Sequence, residues 1–452
     1  MNPLFLIVVN SIVLSSLNAS ELPDTLNLQQ FLAIAKNHNV AVKSASWNRR
    51  ISQIELSKIK RLRILPKLRL KSESGIVPDA KGDVFNPPAD TLGVRPLGPF
   101  NRTQLEAVQP IYPISRGKKI LQAARNNVAI AEAKYNAQLG QVNYEVKKYY
   151  HATLLARDLS NLAERLRNEM ISRKEEVEGA SALTVSSTYE LNLASLEIDA
   201  LAREARDQMS VAKQALLVSA GLSLNEKITI AANFIAPLEI HNKDLFELAE
   251  KTVTRRPEWQ ELQAGIAATK ALHSAAVDAY KPEVYIAGGI RYAIAPGRTD
   301  QHNPFVRDEF NSFGGGIFLG VKQSLEFHLI GADIVKAEAR YKQLISTEEG
   351  LKNMLRLDVS EKLNSFHREE DNLNNHSKRR IIARQWLKEA KEEYEFDPDT
   401  LGGLIKALEE WAEIERGYFE QIYQFNLSVA AIEKSFNNTV ISSENKDSLH
   451  SN

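Results

Sequence analysis

The chain is 452 residues long, carries 57 Lys plus Arg against 57 Asp plus Glu, and has no cysteine. Zero net charge argues against electrostatic capture of nucleic acid, and the missing cysteines exclude disulfide frameworks, cysteine-rich zinc sites and thiol nucleophiles while suiting an exported protein. The length allows a sizeable buried core.

Residues 1–20, MNPLFLIVVNSIVLSSLNAS, are an apolar run followed by small residues and are expected to be a signal peptide, with a buried N-terminal helix as the alternative. Beyond it no stretch reaches the roughly 18 apolar residues of a membrane-spanning helix, so any crossing of a bilayer would fall to strands.

Residues 21–220 read as helix, strand, loop, strand, long helix, tip and helix. The first strand, about 67–77, sets Leu68, Leu70 and Ile76 against Lys67, Arg69, Lys71 and Glu73. The second, about 101–112, sets Leu105, Ala107 and Ile111 against Arg102, Gln104 and Glu106. Leu121, Ala124, Val128, Ala131 and Tyr135 then recur at helical spacing in a stretch from about 115 to 178, which predicts a helix roughly 90 Å long and hence a coiled-coil bundle or barrel.

Residues 221–242 mix short β-like runs with Asn and Pro and are expected to be a connector. Residues 243–437 repeat the first unit. ILPKLRLKSESG around Pro66 matches AYKPEVYIAGG around Pro282, each proline ending a helix and opening a strand. QPIYPISRG, from Gln109 to Gly117, matches QSLEFHLIG, from Gln323 to Gly331. The third strand is expected at about 283–295 and the fourth at about 313–327. A seam of Ala407, Trp411, Ile414, Tyr418, Ile422 and Phe425 closes the second copy with another packed helix, and the polar tail 438–452 is expected to be disordered.

Each strand has about the 9 to 11 residues that a tilted strand needs to cross a bilayer. An ordinary half-buried sheet gives the same alternation, but helices patterned so strongly for one another leave the apolar strand faces without a protein layer. Strands in hydrocarbon cannot leave edges unpaired, and four are too few for a barrel when about eight is the smallest known, so several chains would have to share one.

At this point the sequence resembles the TolC-like family of outer-membrane efflux channels over about residues 25–437. The resemblance is carried by the doubled unit, the Pro66 and Pro282 switches, the Gln109-Pro110 and Gly117 turn, TRRPEW at 254–259 and the block YEFDPDTLGGLIKALEEW. It implies a mainly α fold with a small membrane β part. Long helical hairpins would form a periplasmic tunnel, and each chain of a homotrimer would give four strands to a twelve-stranded barrel in outer-membrane lipid. It further implies a periplasmic adaptor and an inner-membrane transporter as partners, in an efflux pump or type I secretion system. Departures are Asp397-Pro398, where the family commonly has Gly in the second tip, and Asn39-Val40, where the first half often reads Asn-Pro.

Asp397 and Asp399 in that tip would form a ring of carboxylates under threefold symmetry, a candidate periplasmic gate, or else a helix break and cap. Lys67, Arg69, Lys71 and Arg291 are candidate lumen-facing residues, or members of a solvated soluble face. Tyr292, Phe313 and Phe327 would serve as barrel girdle or as core packing. His367, Glu370 and Asp371 have helical metal-ligand spacing but read as the wet side of a helix, and GGGIFLG fails the dinucleotide fingerprint. No catalytic, cofactor or metal site is expected. The rival reading is a periplasmic coiled-coil adaptor or scaffold without transmembrane strands, disfavoured by the tandem hairpins.

Overall fold

The computed structural model describes residues 25–79, 97–179, 185–240, 252–298, 308–397, 400–436 and 442–443, so the signal-like segment lies outside the described residues. The first repeat follows a short strand β1 (Thr25–Leu26). It consists of α1 (Leu28–His38), α2 (Val40–Ile64), β2 (Lys67–Pro78), β3 (Leu97–Tyr112), α3 (Ile114–Gly179) and α4 (Val185–Ala220). Two short strands, β4 (Thr229–Ile230) and β5 (Glu239–Ile240), lie in the connector. The second repeat is α5 (Pro257–Val277), β6 (Glu283–Ile294), β7 (Ser312–Lys322), α6 (Phe327–Phe396) and α7 (Leu401–Ser435), followed by β8 (Ser442–Ser443).

Local chemistry sets the boundaries. Asn27 and Gln30 form a reciprocal capping box at 2.9 Å in both directions, which starts α1. The Asn39 side chain accepts from the Ala41 and Val42 amides and starts α2. Pro257 occupies the first turn of α5, where its missing N–H costs nothing. At the helix-to-strand switches Leu65 and Lys281, each preceding a proline, are extended. The glutamines that mark the repeat have a structural role there: Gln109 Nε2 donates to the Arg63 and Pro110 carbonyls, and Gln323 Nε2 donates to the Tyr280 and Ser324 carbonyls. Each clamps the departing strand of its unit to the end of the preceding helix.

At 66 and 70 residues, α3 and α6 are each about 100 Å long. The shorter helices stack end to end beside them. Asn39 Nδ2 donates to the Ser219 carbonyl at 2.8 Å, so α4 ends where α2 begins. Gly221 makes the junction possible: its φ is +74°, and a Cβ there would sit 2.5 Å from the His38 carbonyl carbon. In the second repeat Arg256, just before α5, pairs with Asp358 of α6 at 2.5 Å, and Ser435 at the end of α7 donates to the same carboxylate.

The core sits around this junction. Phe31, Val42, Val146, Tyr150 and Leu216 bury together with Ile228, Ile230, Ala232 and Ile235 of the connector, and a second cluster joins Leu238 to Val359, Phe366, Phe425 and Val429. The connector is therefore a packed belt. It pairs through β4 with β1 in parallel and through β5 with β8 in antiparallel. That last pairing corrects the expectation of a wholly disordered tail at Ser442–Ser443, because two backbone segments distant in sequence satisfy each other's amides.

The four long strands form one antiparallel sheet in the order β2-β3-β6-β7, with β2 and β7 at its open edges. The fourth strand is shorter than the expected 313–327. It ends at Lys322, and Phe327 opens α6 with its ring stacked on Tyr280 at 6.2 Å between centroids. Phe327 is thus removed from the candidate girdle, because the apparent alternation in QSLEF gives way to helix packing.

Candidate functional site

Antiparallel register decides which side chains share a face, since directly opposed residues point the same way. Lys71 lies opposite Gln104, Gln104 opposite Arg291, and Arg291 opposite Gly314. Arg69 opposes Glu106, and Lys67 opposes Val108. All four candidate residues, Lys67, Arg69, Lys71 and Arg291, are therefore brought to one face, which also holds Glu73, Arg102 and a glycine floor of Gly289, Gly314, Gly316 and Gly320.

The opposite face is apolar except for a hydrogen-bonded cluster of Ser72, Ser74, Asn101 and Thr103 on β2 and β3, and it is uncovered among the described residues. Leu70 is 69% exposed, Phe313 77% and Ile317 85%, with Leu68, Ile76, Ile290 and Val321 also exposed. Tyr292 and Phe313 are register partners on this face and are exposed rather than packed in a core. At about 25 cal/mol per Å², so many bare side chains on an antiparallel sheet imply a missing apolar layer.

Asp397 closes α6, its amide donating to the Glu393 carbonyl at 2.9 Å while its own carbonyl accepts from the Thr400 amide and hydroxyl. The backbone there does the work of a turn between α6 and α7; Asp399 lies outside the described residues. Beneath the tip, Met170, Leu387, Leu401 and Leu404 make an apolar plug. His367 meets Glu370 at 3.6 Å with both side chains half exposed, and no cluster fit to hold a metal occurs among the described residues.

Superposition on solved structures places this geometry. The chain matches the Campylobacter jejuni CmeC outer membrane channel with a TM-score of 0.72, at 14% identity over 93% of this chain and 87% of that one. It matches the open state of the Neisseria gonorrhoeae MtrE outer membrane channel with a TM-score of 0.71, at 15% identity over 91% and 88%. This chain has the outer-membrane-channel fold. The outer membrane protein VceC of Vibrio cholerae is similar in the same way, with a TM-score of 0.68 at 15% identity over 91% of this chain and 96% of that one. No family model matches the sequence, and no curated protein aligns with it significantly. The mainly helical, tandem-repeat fold implied by the family resemblance is the fold observed.

Sequence reasoning missed the polar groups that hold this outer-membrane-channel fold at its belt. Asp158 of α3 accepts from the Ile235 amide at 2.7 Å, and Arg157 donates to the Ala232 carbonyl at 2.5 Å. Asn426 of α7 accepts from the Leu238 amide at 3.0 Å and donates to the Ala236 carbonyl at 2.9 Å. Burial pushes the Asp158 carboxyl up to about 6 against the opposing pull of that amide and of Arg157. Next to Asn426, burial and then the charge of Lys147 hold the His151 imidazole down at about 3. Lower in the hairpin, Glu415 is fully buried between Arg380 and Arg384, and Arg380 also lies over the Tyr418 ring at 4.3 Å. The only hint in the sequence was polar residues falling on otherwise apolar helix seams.

Proposed function

We propose that this protein is a homotrimeric outer-membrane channel, the passive exit duct of a tripartite efflux pump or type I secretion system. The observation that carries the reading is the sheet. Among the described residues one face is mostly apolar and bare and both edges are open, so lipid covers the face and copies of the chain pair the edges. Twelve strands from three chains close such a barrel, and the helices continue it into the periplasm.

In this reading Lys67, Arg69, Lys71 and Arg291 face the lumen, and the tip carrying Asp397 and Asp399 is the periplasmic gate. A periplasmic adaptor and an inner-membrane transporter are the partners, and the transporter supplies the energy. The duct itself does no chemistry. A soluble adaptor or scaffold would leave the apolar sheet face in water, which disfavours that alternative.

Membrane fractionation with unboiled gel electrophoresis tests the proposal. The expected result is an outer-membrane protein that migrates as a trimer until heated. A water-soluble monomer obtained without detergent would overturn it.

A further inference from the structure

The polar face of the sheet is unevenly charged. Among the described residues it carries six cations against three carboxylates, Glu73, Glu106 and Glu283. Part of that excess is matched locally. Lys71 pairs with Glu73 at 2.5 Å, Arg102 meets Glu309 at 3.9 Å, and Lys322 lies in register with Glu283. What remains is Lys67, Arg69 and Arg291, facing Glu106 alone, and Glu106 is the register partner of Arg69.

Arg291 opens on a cavity that it shares with Glu106, its diagonal neighbour across Gly289. Its cross-strand partners are Gln104 and Gly314, and its same-face neighbours along β6 are Gly289 and Ala293. No carboxylate adjoins it on either side in register, and it makes no ion pair among the described residues. A Cβ at Gly316, one step down the same face, would meet no atom within 4 Å, so the floor beside the guanidinium is open. A guanidinium is charged at every relevant pH and offers five donors to an anion. Three copies around a threefold axis would give a positive collar with no carboxylate in its own row. Rings of Arg or Lys favour anions in a pore, and at about 0.1 M salt the field reaches roughly 10 Å into the lumen.

Resting on the channel reading above, we propose that Arg291, supported by Lys67 and Arg69, makes the barrel section an anion-preferring passage.

The experiment is reversal potential in planar bilayers across a gradient of about 0.1 M potassium chloride, where screening is modest. Asp397→Asn with Asp399→Asn serves as the background, so that tip carboxylates contribute nothing. The expected chloride-to-potassium permeability ratio is above one, falls by about threefold or more in Arg291→Glu, and is retained in Arg291→Lys. The preference should also fade toward about 1 M salt, where screening is complete within roughly 3 Å. A conducting trimer that prefers potassium, or whose preference is indifferent to Arg291→Glu, overturns the inference and leaves the channel standing. A protein with neither trimer nor conductance overturns both.

Discussion

His151 and Asp158 show how two buried groups set opposite pH dependences in one belt. The imidazole is held at about 3, below its ordinary 6.5, so the unfolded chain takes up the proton first and stability is lost as pH falls from 6.5 toward 3. The Asp158 carboxyl is raised from 3.8 to about 6, so the folded chain takes up the proton first and stability is lost as pH rises from about 4 through 6. At 1.36 kcal/mol per unit the two terms are at most about 5 and 3 kcal/mol, and they nearly offset each other between pH 6.5 and 4. The protein's melting temperature is therefore expected to change little over that window, apart from a loss on acidification added by His376, whose imidazole is also held down by burial. His151→Gln should shift the balance toward the carboxyl, so that melting on acidification rises relative to the parent. Asp158→Asn should leave the imidazoles of His151 and His376 unopposed, so that melting falls. Parallel curves for the two variants would mean that these groups do not titrate as their burial requires.

Among the elements, the junction of α2 and α4 depends on a single backbone conformation. Gly221 has φ +74°, and any side chain there meets the His38 carbonyl. Gly221→Ala combines a left-handed penalty of about 1–2 kcal/mol with that clash, and a lower melting temperature of the protein is the expected reading. The same substitution at Gly402, where a Cβ meets nothing within 4 Å, should cost little and serves as the control. Much of the element structure was legible beforehand. Proline at 66 and 282 removes a donor and restricts its predecessor, so both switches could be read, and the stretch 115–178 is indeed one helix, Ile114–Gly179. The end of β7 was not legible: period-two spacing persists through Phe327, but β6 begins at Glu283, so β7 has no strand to pair with beyond Lys322, and the Phe327 ring instead stacks on Tyr280.

For the whole molecule, adjacent residues on β7 separate the lipid reading from the lumen reading. Ile317 lies on the bare apolar face, and Phe318 lies on the face shared with Lys67 and Ala287. Near the middle of a lipid-facing strand an arginine costs about 2–4 kcal/mol, whereas a lumen position is tolerant. For the proposed channel, Ile317→Arg is therefore expected to reduce the heat-modifiable trimer in outer membranes sharply, and Phe318→Arg to leave its amount near the parent level. Equal yields would assign both faces to water. An excess of trimer in Ile317→Arg over Phe318→Arg would reverse the sidedness proposed here.

By itself the sequence determined the alternation of the four strands, the two helix-to-strand switches and the duplication, because these rest on periods of 2 and 3.6 and on the backbone limits of proline. It also separated Lys67, Arg69 and Lys71 from Leu68 and Leu70, since neighbours on a strand must point apart. Only the tertiary structure decided that Arg291 shares a row with Lys71, because register is a property of paired strands from two repeats. The belt was likewise invisible in advance: residues 221–240 look like a linker until Asp158 and Asn426, 77 and 188 residues away from the amides they accept, satisfy that backbone. Burial of a polar segment depends on partners that local sequence does not contain.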